Sequence, residues 1–196
     1  MSYKYIIGCD EVGSGPVAGP SVVVGVKASV DWNLEGLNDS KKLSEKKREI
    51  MKDKLNLLIK QGEISYYLAE RSNSFIDENG FGVALKDAYV EIFKNLYCND
   101  SYIIVDGTLK FNNLGVDHCD IKSIIKADTV IPTVMAASIL AKTYRDHLMK
   151  EYSKLHPNYN WDKNMGYPTA DHIAAIKKHG YSSLHRLSFK LKALAI

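Results

Sequence analysis

Three cysteines, Cys9, Cys98 and Cys119, are spread through 196 residues with no CxxC pair. An odd, unpaired set supports neither a disulfide framework nor a zinc knuckle, and it fits a reducing compartment, so a cytoplasmic protein is expected. No eighteen apolar residues follow one another, and the apolar start YIIGC breaks at Asp10-Glu11. Neither a membrane span nor a signal peptide is expected. The six histidines form no HExxH or HxH pair, which removes the usual histidine-zinc hydrolases. Charge of one sign is also scarce, because 26 Lys and Arg face 23 Asp and Glu for a formal +3. That excess is too small to name a nucleic-acid partner by bulk charge. Its distribution is more informative, since from Ala141 onward ten basic residues face only four acids.

What is present is the profile of one soluble α/β domain, with 45% hydrophobic and 25% charged residues and no repeat, low-complexity tract or linker. At this length roughly 70% of the unfolded surface is buried on folding, so a core needs no metal or disulfide to hold it. Runs rich in β-branched residues predict strands at Tyr3–Cys9, Ser21–Val26, Ile64–Ala69, Ser101–Val105 and Cys119–Ile125. Apolar residues at helical spacing predict helices over Glu45–Lys60, Gly80–Tyr97, Pro132–Tyr152 and Thr169–His179.

Asp10, Glu11, Asp106 and Asp128 each fall at the end of an apolar strand or just before a helix. Ligand sites of open α/β sheets form at such strand ends. Hard divalent cations take oxygen ligands, and a pair of them can clamp the attacking and leaving oxygens of a phosphodiester. One geometric difficulty arises, because consecutive strand residues face opposite sides, so Asp10 and Glu11 reach one cluster only if the strand twists or ends there. Gly13 and Gly15 supply the freedom for a turn. By spacing alone these acids also fit a solvated acidic loop. Cys9 reads as a small buried residue beneath them.

The segments Gly8-Cys9-Asp10-Glu11-Val12-Gly13-Ser14-Gly15-Pro16-Val17-Ala18-Gly19-Pro20, Leu37-Asn38-Asp39-Ser40-Lys41-Lys42-Leu43-Ser44 and Val105-Asp106-Gly107 resemble type 2 ribonuclease H, the bacterial ribonuclease HII family. So do Lys126-Ala127-Asp128, Ala136 to Lys142 with Arg145-Asp146, Gly166-Tyr167-Pro168-Thr169 and His185-Arg186-Leu187-Ser188-Phe189, all in family order. The resemblance implies an RNase H-like mixed five-stranded sheet flanked by helices. It implies one catalytic domain over residues 1–196, with a helical, substrate-binding C-terminal region from about residue 150. It further implies an endoribonuclease that cuts the RNA strand of RNA/DNA hybrids, or ribonucleotides embedded in duplex DNA, leaving 3′-hydroxyl and 5′-phosphate ends.

Carried over position by position, Asp10, Glu11, Asp106 and Asp128 become the metal-site acids, holding Mg²⁺ or Mn²⁺. Gly13, Ser14 and Gly15 become the loop that meets the ribonucleotide 2′-hydroxyl, and Tyr167 the ring that packs on the sugar at the RNA-DNA junction. Ser14 departs from the family's usual arginine, so an arginine's bidentate phosphate grip is missing. The related ribonuclease HIII family tolerates a small hydroxyl residue there and favours continuous hybrids, which keeps that preference open beside the HII one. A catalytically silent hybrid-binding module is the alternative from another class, but a pure binder gains nothing from four carboxylates facing phosphates. Another RNase H-like nuclease would share the carboxylates, yet it would not explain Asp39-Ser40-Lys41-Lys42 or Gly166-Tyr167.

Lys41, Lys42, Lys142, Arg145 and Lys163 are expected to contact phosphates, with Ser138, Lys142 and Arg145 on one helix face. Lys46, Lys47, Lys60, Lys177 and Lys178 read as solvated surface charges. His185 is expected to pack or hydrogen-bond within the C-terminal region rather than catalyse. The tail FKLKALAI lacks the glutamine-led aromatic motif with which some archaeal relatives dock a sliding clamp, so no clamp binding through it is expected. A monomer is expected.

Overall fold

In a computed structural model that describes residues 3–112, 114–116 and 118–191, five strands form one mixed sheet in the order β3-β2-β1-β4-β5. Strand β1 (Tyr5–Val12) pairs antiparallel with β2 (Ser21–Ser29), which pairs antiparallel with β3 (Ser65–Arg71). On its other side β1 runs parallel to β4 (Ser101–Asp106), and β4 parallel to β5 (Asp120–Ile124). The mixed five-stranded sheet flanked by helices is the architecture expected from the sequence. Residues 192–196, most of the tail expected not to dock a clamp, lie outside the described residues.

The pleat sorts β1 between two cores. Ile7 and Cys9 pack with Ala88, Tyr89, Ile92 and Phe93 of α3 (Phe81–Leu96) on one face of the sheet. On the opposite face Val22, Val24 and Val26 meet Ala136, Ala137 and Ile139 of α4 (Pro132–Leu155), with Met51 and Leu55 of α1 (Glu45–Gln61) alongside. Small residues in α4 let the helix lie close on the sheet. A Cβ added to Gly8 would stand 2.3 Å from the Val134 backbone nitrogen. Backbone cannot step aside as a flexible side chain can, so Gly8→Ala should cost about 3 kcal/mol. Urea unfolding checks this, and an unchanged midpoint would contradict the packing of α4 on β1.

The helix ends follow local chemistry. Ser44 caps α1 by accepting from the Lys47 amide, and Gly62 closes it at φ 76°. Thr169 likewise caps α6 (Ala170–His179). Between α4 and α6 lie a single 3₁₀ turn, Pro157–Tyr159, and the short α5 (Trp161–Asn164). A third core of Val17, Ala18, Met149, Tyr159, Trp161 and Ile176 ties this C-terminal region to the loop between β1 and β2. Helix α2 (Asn73–Asn79) was not expected, because seven residues are too few to show a helical period.

Candidate active site

Strands β1 and β4 end side by side, and their ladder stops at the pair Cys9 and Val105. Beyond it Asp10, Glu11 and Val12 pair only with β2, while Asp106 pairs only with Ile124 of β5. A crevice therefore opens where the carboxyl ends of two parallel strands part, the position at which α/β sheets bind ligands. Gly107, at φ 101°, turns the chain away immediately after Asp106.

The strand does not end at Asp10, one of the two ways expected for the adjacent acids to meet. Strand β1 stays regular through Val12, with Asp10 opposite Val24 and Glu11 opposite Val23. The two carboxylates keep opposite faces: Asp10 lies on the side of α4, near Ser138, and Glu11 accepts at 2.5 Å from the Tyr89 hydroxyl of α3. Both nonetheless lie near enough to Asp106, beyond the end of the β1–β4 ladder, to feel its charge. Asp128 enters from a 3₁₀ turn, Ala127–Thr129, that follows Lys126 in the left-handed region at φ 61°. That turn aims the Ala127 amide at Asp106 Oδ1, 2.7 Å away.

Burial pushes the Asp10 carboxyl up to about 7, with the Ser138 hydroxyl opposing the rise and Glu11 and Asp106 adding to it. Burial also raises Glu11, against the Tyr89 hydrogen bond and with Asp106 adding repulsion. Asp106 is raised by burial and by Asp128. The one cation in direct contact with these acids among the described residues is Lys41, whose Nζ lies 3.3 Å from Asp128 Oδ2. Burial opposes the Lys41 charge, yet Asp128 and Asp10 hold its pKa above the ordinary lysine value.

Among the described residues no three of these side chains form a finished ion-holding set. Each is engaged by a protein donor: Asp10 by the Glu11 amide, Glu11 by Tyr89, Asp106 by Ala127 and Asp128 by Lys41. The donor set nonetheless fits a hard divalent cation, being all carboxylate oxygen, largely buried and mutually repulsive.

Beside the crevice, Ser14 and Gly15 are exposed. A Cβ on Gly15 would lie 3.1 Å from Cε1 of Tyr167, a residue 41% exposed. The loop and the ring thus form one continuous surface, joining two segments 152 positions apart, from 15 to 167. Gly13 is buried beneath it at φ 97°. Lys41, Lys42 and Lys163 are exposed, as are Lys46, Lys47, Lys60, Lys177 and Lys178. Lys142 is half-buried and ion-paired at 2.6 Å with Asp146, and Ser138 is buried with its hydroxyl 2.8 Å from that of Ser40.

Arg145 corrects the expectation of a phosphate contact. It is fully buried, and its guanidinium donates to the carbonyls of Pro20, Met165 and Ala18 at 3.0, 2.9 and 3.1 Å. Arg186, also fully buried, donates to Gly13 and Gly19. Both arginines brace the loop from below. His185 packs as expected, against His172, Tyr159 and Trp161. Sequence reasoning missed Tyr89 and Ser40, because a tyrosine at a core-facing helix position and a serine in a polar loop carry no signal of their distant partners.

A model of the family described as ribonuclease HII matches residues 7–192. The ribonuclease HII of Clostridium beijerinckii is 43% identical over 98% of this chain and 70% of its own length. That of Aliarcobacter butzleri is 44% identical over 97% of this chain and 93% of its own. The solved ribonuclease HII of Archaeoglobus fulgidus, in a complex with PCNA, shares the fold with a TM-score of 0.77 at 25% identity, over 95% of this chain and 96% of that one. The likeness spans the strand ends that carry the four acids as well as the C-terminal segment under Tyr167, and so the chain belongs to the ribonuclease HII family.

Proposed function

We propose that this protein is a divalent-metal-dependent endoribonuclease that cuts the RNA strand of RNA/DNA hybrids and at ribonucleotides embedded in duplex DNA, leaving 3′-hydroxyl and 5′-phosphate ends. The observation that carries the reading is the crevice itself, where four acids repel one another with one lysine in contact. Asp10, Glu11, Asp106 and Asp128 would hold Mg²⁺ or Mn²⁺. A bound ion of this kind supplies charge against phosphate oxygens and lowers the pKa of a water.

The residues around it do the positioning. Tyr89 fixes the Glu11 carboxylate, the Ala127 amide fixes Asp106, and Ser138, itself bonded to Ser40, steadies Asp10. Lys41 neutralises Asp128 until a phosphate and a cation take over those charges, and its exposed stem gives the ammonium room to move. Ser14 and Gly15 offer backbone amides to the ribose, Tyr167 packs on the sugar, and Lys42, Lys163 and Lys142 meet the flanking phosphates.

Cleavage of two labelled duplexes tests this reading, one with a single embedded ribonucleotide and one with a continuous RNA strand. Cutting of both, with ends extendable by a polymerase, is expected. Binding of both without cutting would favour a silent module instead.

Ser14 gives a second reading its foothold, a preference for continuous hybrids. Ser14→Arg adds a bidentate phosphate donor to an exposed loop and should improve cutting at the single ribonucleotide about tenfold. No change in that rate would remove the role given to the loop.

A further inference from the structure

Beneath Tyr167 lies a buried set of aromatic and imidazole rings that the chemistry above does not use. His172 and His185 are 0% and 1% exposed, and Trp161 is fully buried. Their hydrogen bonds leave one proton arrangement. The carbonyl of Tyr167 can only accept, so His172 Nδ1, 2.9 Å away, carries a proton. His172 Nε2 then accepts from the Trp161 indole N–H at 3.0 Å. His185 Nδ1 accepts from the Ser182 amide at 2.8 Å, so its proton sits on Nε2 and points at His172 Nε2, 3.1 Å away, sharing that nitrogen's one lone pair with the Trp161 indole N–H. Burial lowers the pKa of both imidazoles, His185 to about 4, which keeps the pair neutral and this arrangement fixed.

The last link of that chain is the backbone of Tyr167, and the first is the turn at Ser182. The Tyr167 amide is held too, donating to the Asn164 carbonyl at 2.8 Å. Its neighbour Gly166 sits with its Cα against Ala18, where a Cβ would lie 2.6 Å from the Ala18 carbonyl oxygen. A shift of the Tyr167 carbonyl therefore moves the ring relative to Gly15.

We propose that His172 and His185 are positioning residues that, through a one-way hydrogen-bond relay ending on the Tyr167 carbonyl, set the ring of Tyr167 against Gly15 and so tune selectivity for a single ribonucleotide over a continuous hybrid. The proposal rests on the reading that Tyr167 packs on the substrate sugar.

The test compares wild type, Tyr167→Ala, His172→Phe and His172→Asn on the two duplexes, with kcat and KM measured separately. Asparagine places an amide N–H where Nδ1 stood, so it keeps the donor to Tyr167, whereas phenylalanine keeps only the ring. His172→Phe should raise KM for the single-ribonucleotide duplex about tenfold with kcat little changed and the continuous hybrid little affected, and His172→Asn, which keeps the donor to Tyr167 but has no atom to accept from His185, should recover only part of the loss. Nitrogen-15 NMR of the wild-type protein should show the Nδ1–H form of His172 and the Nε2–H form of His185.

Equal losses on both duplexes, an asparagine variant no better than phenylalanine, or the reverse tautomers would each overturn the relay. An unchanged selectivity in Tyr167→Ala would overturn the reading of Tyr167 and the proposal with it. Altered selectivity there with none in His172→Phe would sink the relay alone. Should His172→Phe fail to fold, the asparagine variant and the tautomers still decide.

Discussion

Asp10→Asn should slow metal-supported cleavage roughly a thousandfold and, in a chelating buffer at pH 8, make the protein more stable. The activity loss follows from removing a charge from the ion-holding set, worth several kcal/mol in the transition state, or roughly a thousandfold in rate. The stability gain follows from the same burial. Asp10 is 6% exposed and its carboxyl is raised from 3.8 to about 7 by burial, with Glu11 and Asp106 adding repulsion. A group raised in the folded state binds its proton more tightly there than when unfolded. Its contribution is intact below about pH 4 and is lost as pH rises toward 7.

At pH 8 the wild-type protein therefore carries the whole penalty, and an uncharged asparagine carries none. Because Asp10, Glu11 and Asp106 titrate as a coupled set, we take the gain as about 2 kcal/mol, or a Tm rise of about 4–8 °C. The gain should vanish near pH 3. Adding Mg²⁺ should stabilise wild type more than the variant, since an ion that binds the native state alone raises its stability. A variant less stable than wild type at pH 8 in chelator would contradict the electrostatic account of the crevice.

Arg145→Met should cost about 3–5 kcal/mol, lowering Tm by roughly 10 °C, because three buried carbonyls lose their donor at about 1 kcal/mol or more each. The carbonyls belong to Ala18, Pro20 and Met165, so the variant also frees the loop beside Tyr167. Lysine keeps the charge but presents a single ammonium that cannot span two segments as the planar guanidinium does, and it should recover less than half of the loss. Salt dependence separates this role from the phosphate contact read from sequence. A lost phosphate contact would reduce the slope of log affinity against log salt by nearly one, and a buried brace should leave it unchanged. A stable Arg145→Met with a reduced slope would restore the original reading.

That reversal marks where the sequence ceased to be legible. The strands and long helices were readable because each buries a face, and period-2 and period-3.6 patterns report burial directly. Asp10, Glu11, Asp106 and Asp128 fall at strand ends or before a helix, but by spacing alone they fit a solvated acidic loop equally, and only the resemblance to ribonuclease HII marked them as a metal site. The relation of Asp10 to Glu11 was not readable in the same way. Their adjacency called for a strand that twists or ends there, whereas β1 stays paired to β2 through Val12 and only its ladder with β4 stops, at Cys9 and Val105. Arg145 was misread because a helix face defined by Ser138, Lys142 and Arg145 does not tell which side the sheet covers. Tyr89, Trp161 and His172 gave no warning, as their roles depend on hydrogen bonds to residues far along the chain.

Anomalous X-ray scattering from crystals of the wild-type protein soaked in Mn²⁺ would locate the ion directly. A manganese peak is expected among Asp10, Glu11, Asp106 and Asp128, with the Lys41 ammonium moved away from Asp128, and no such peak in Asp10→Asn. Manganese bound elsewhere with Lys41 still paired to Asp128, or an equal peak in the variant, would contradict this metal site.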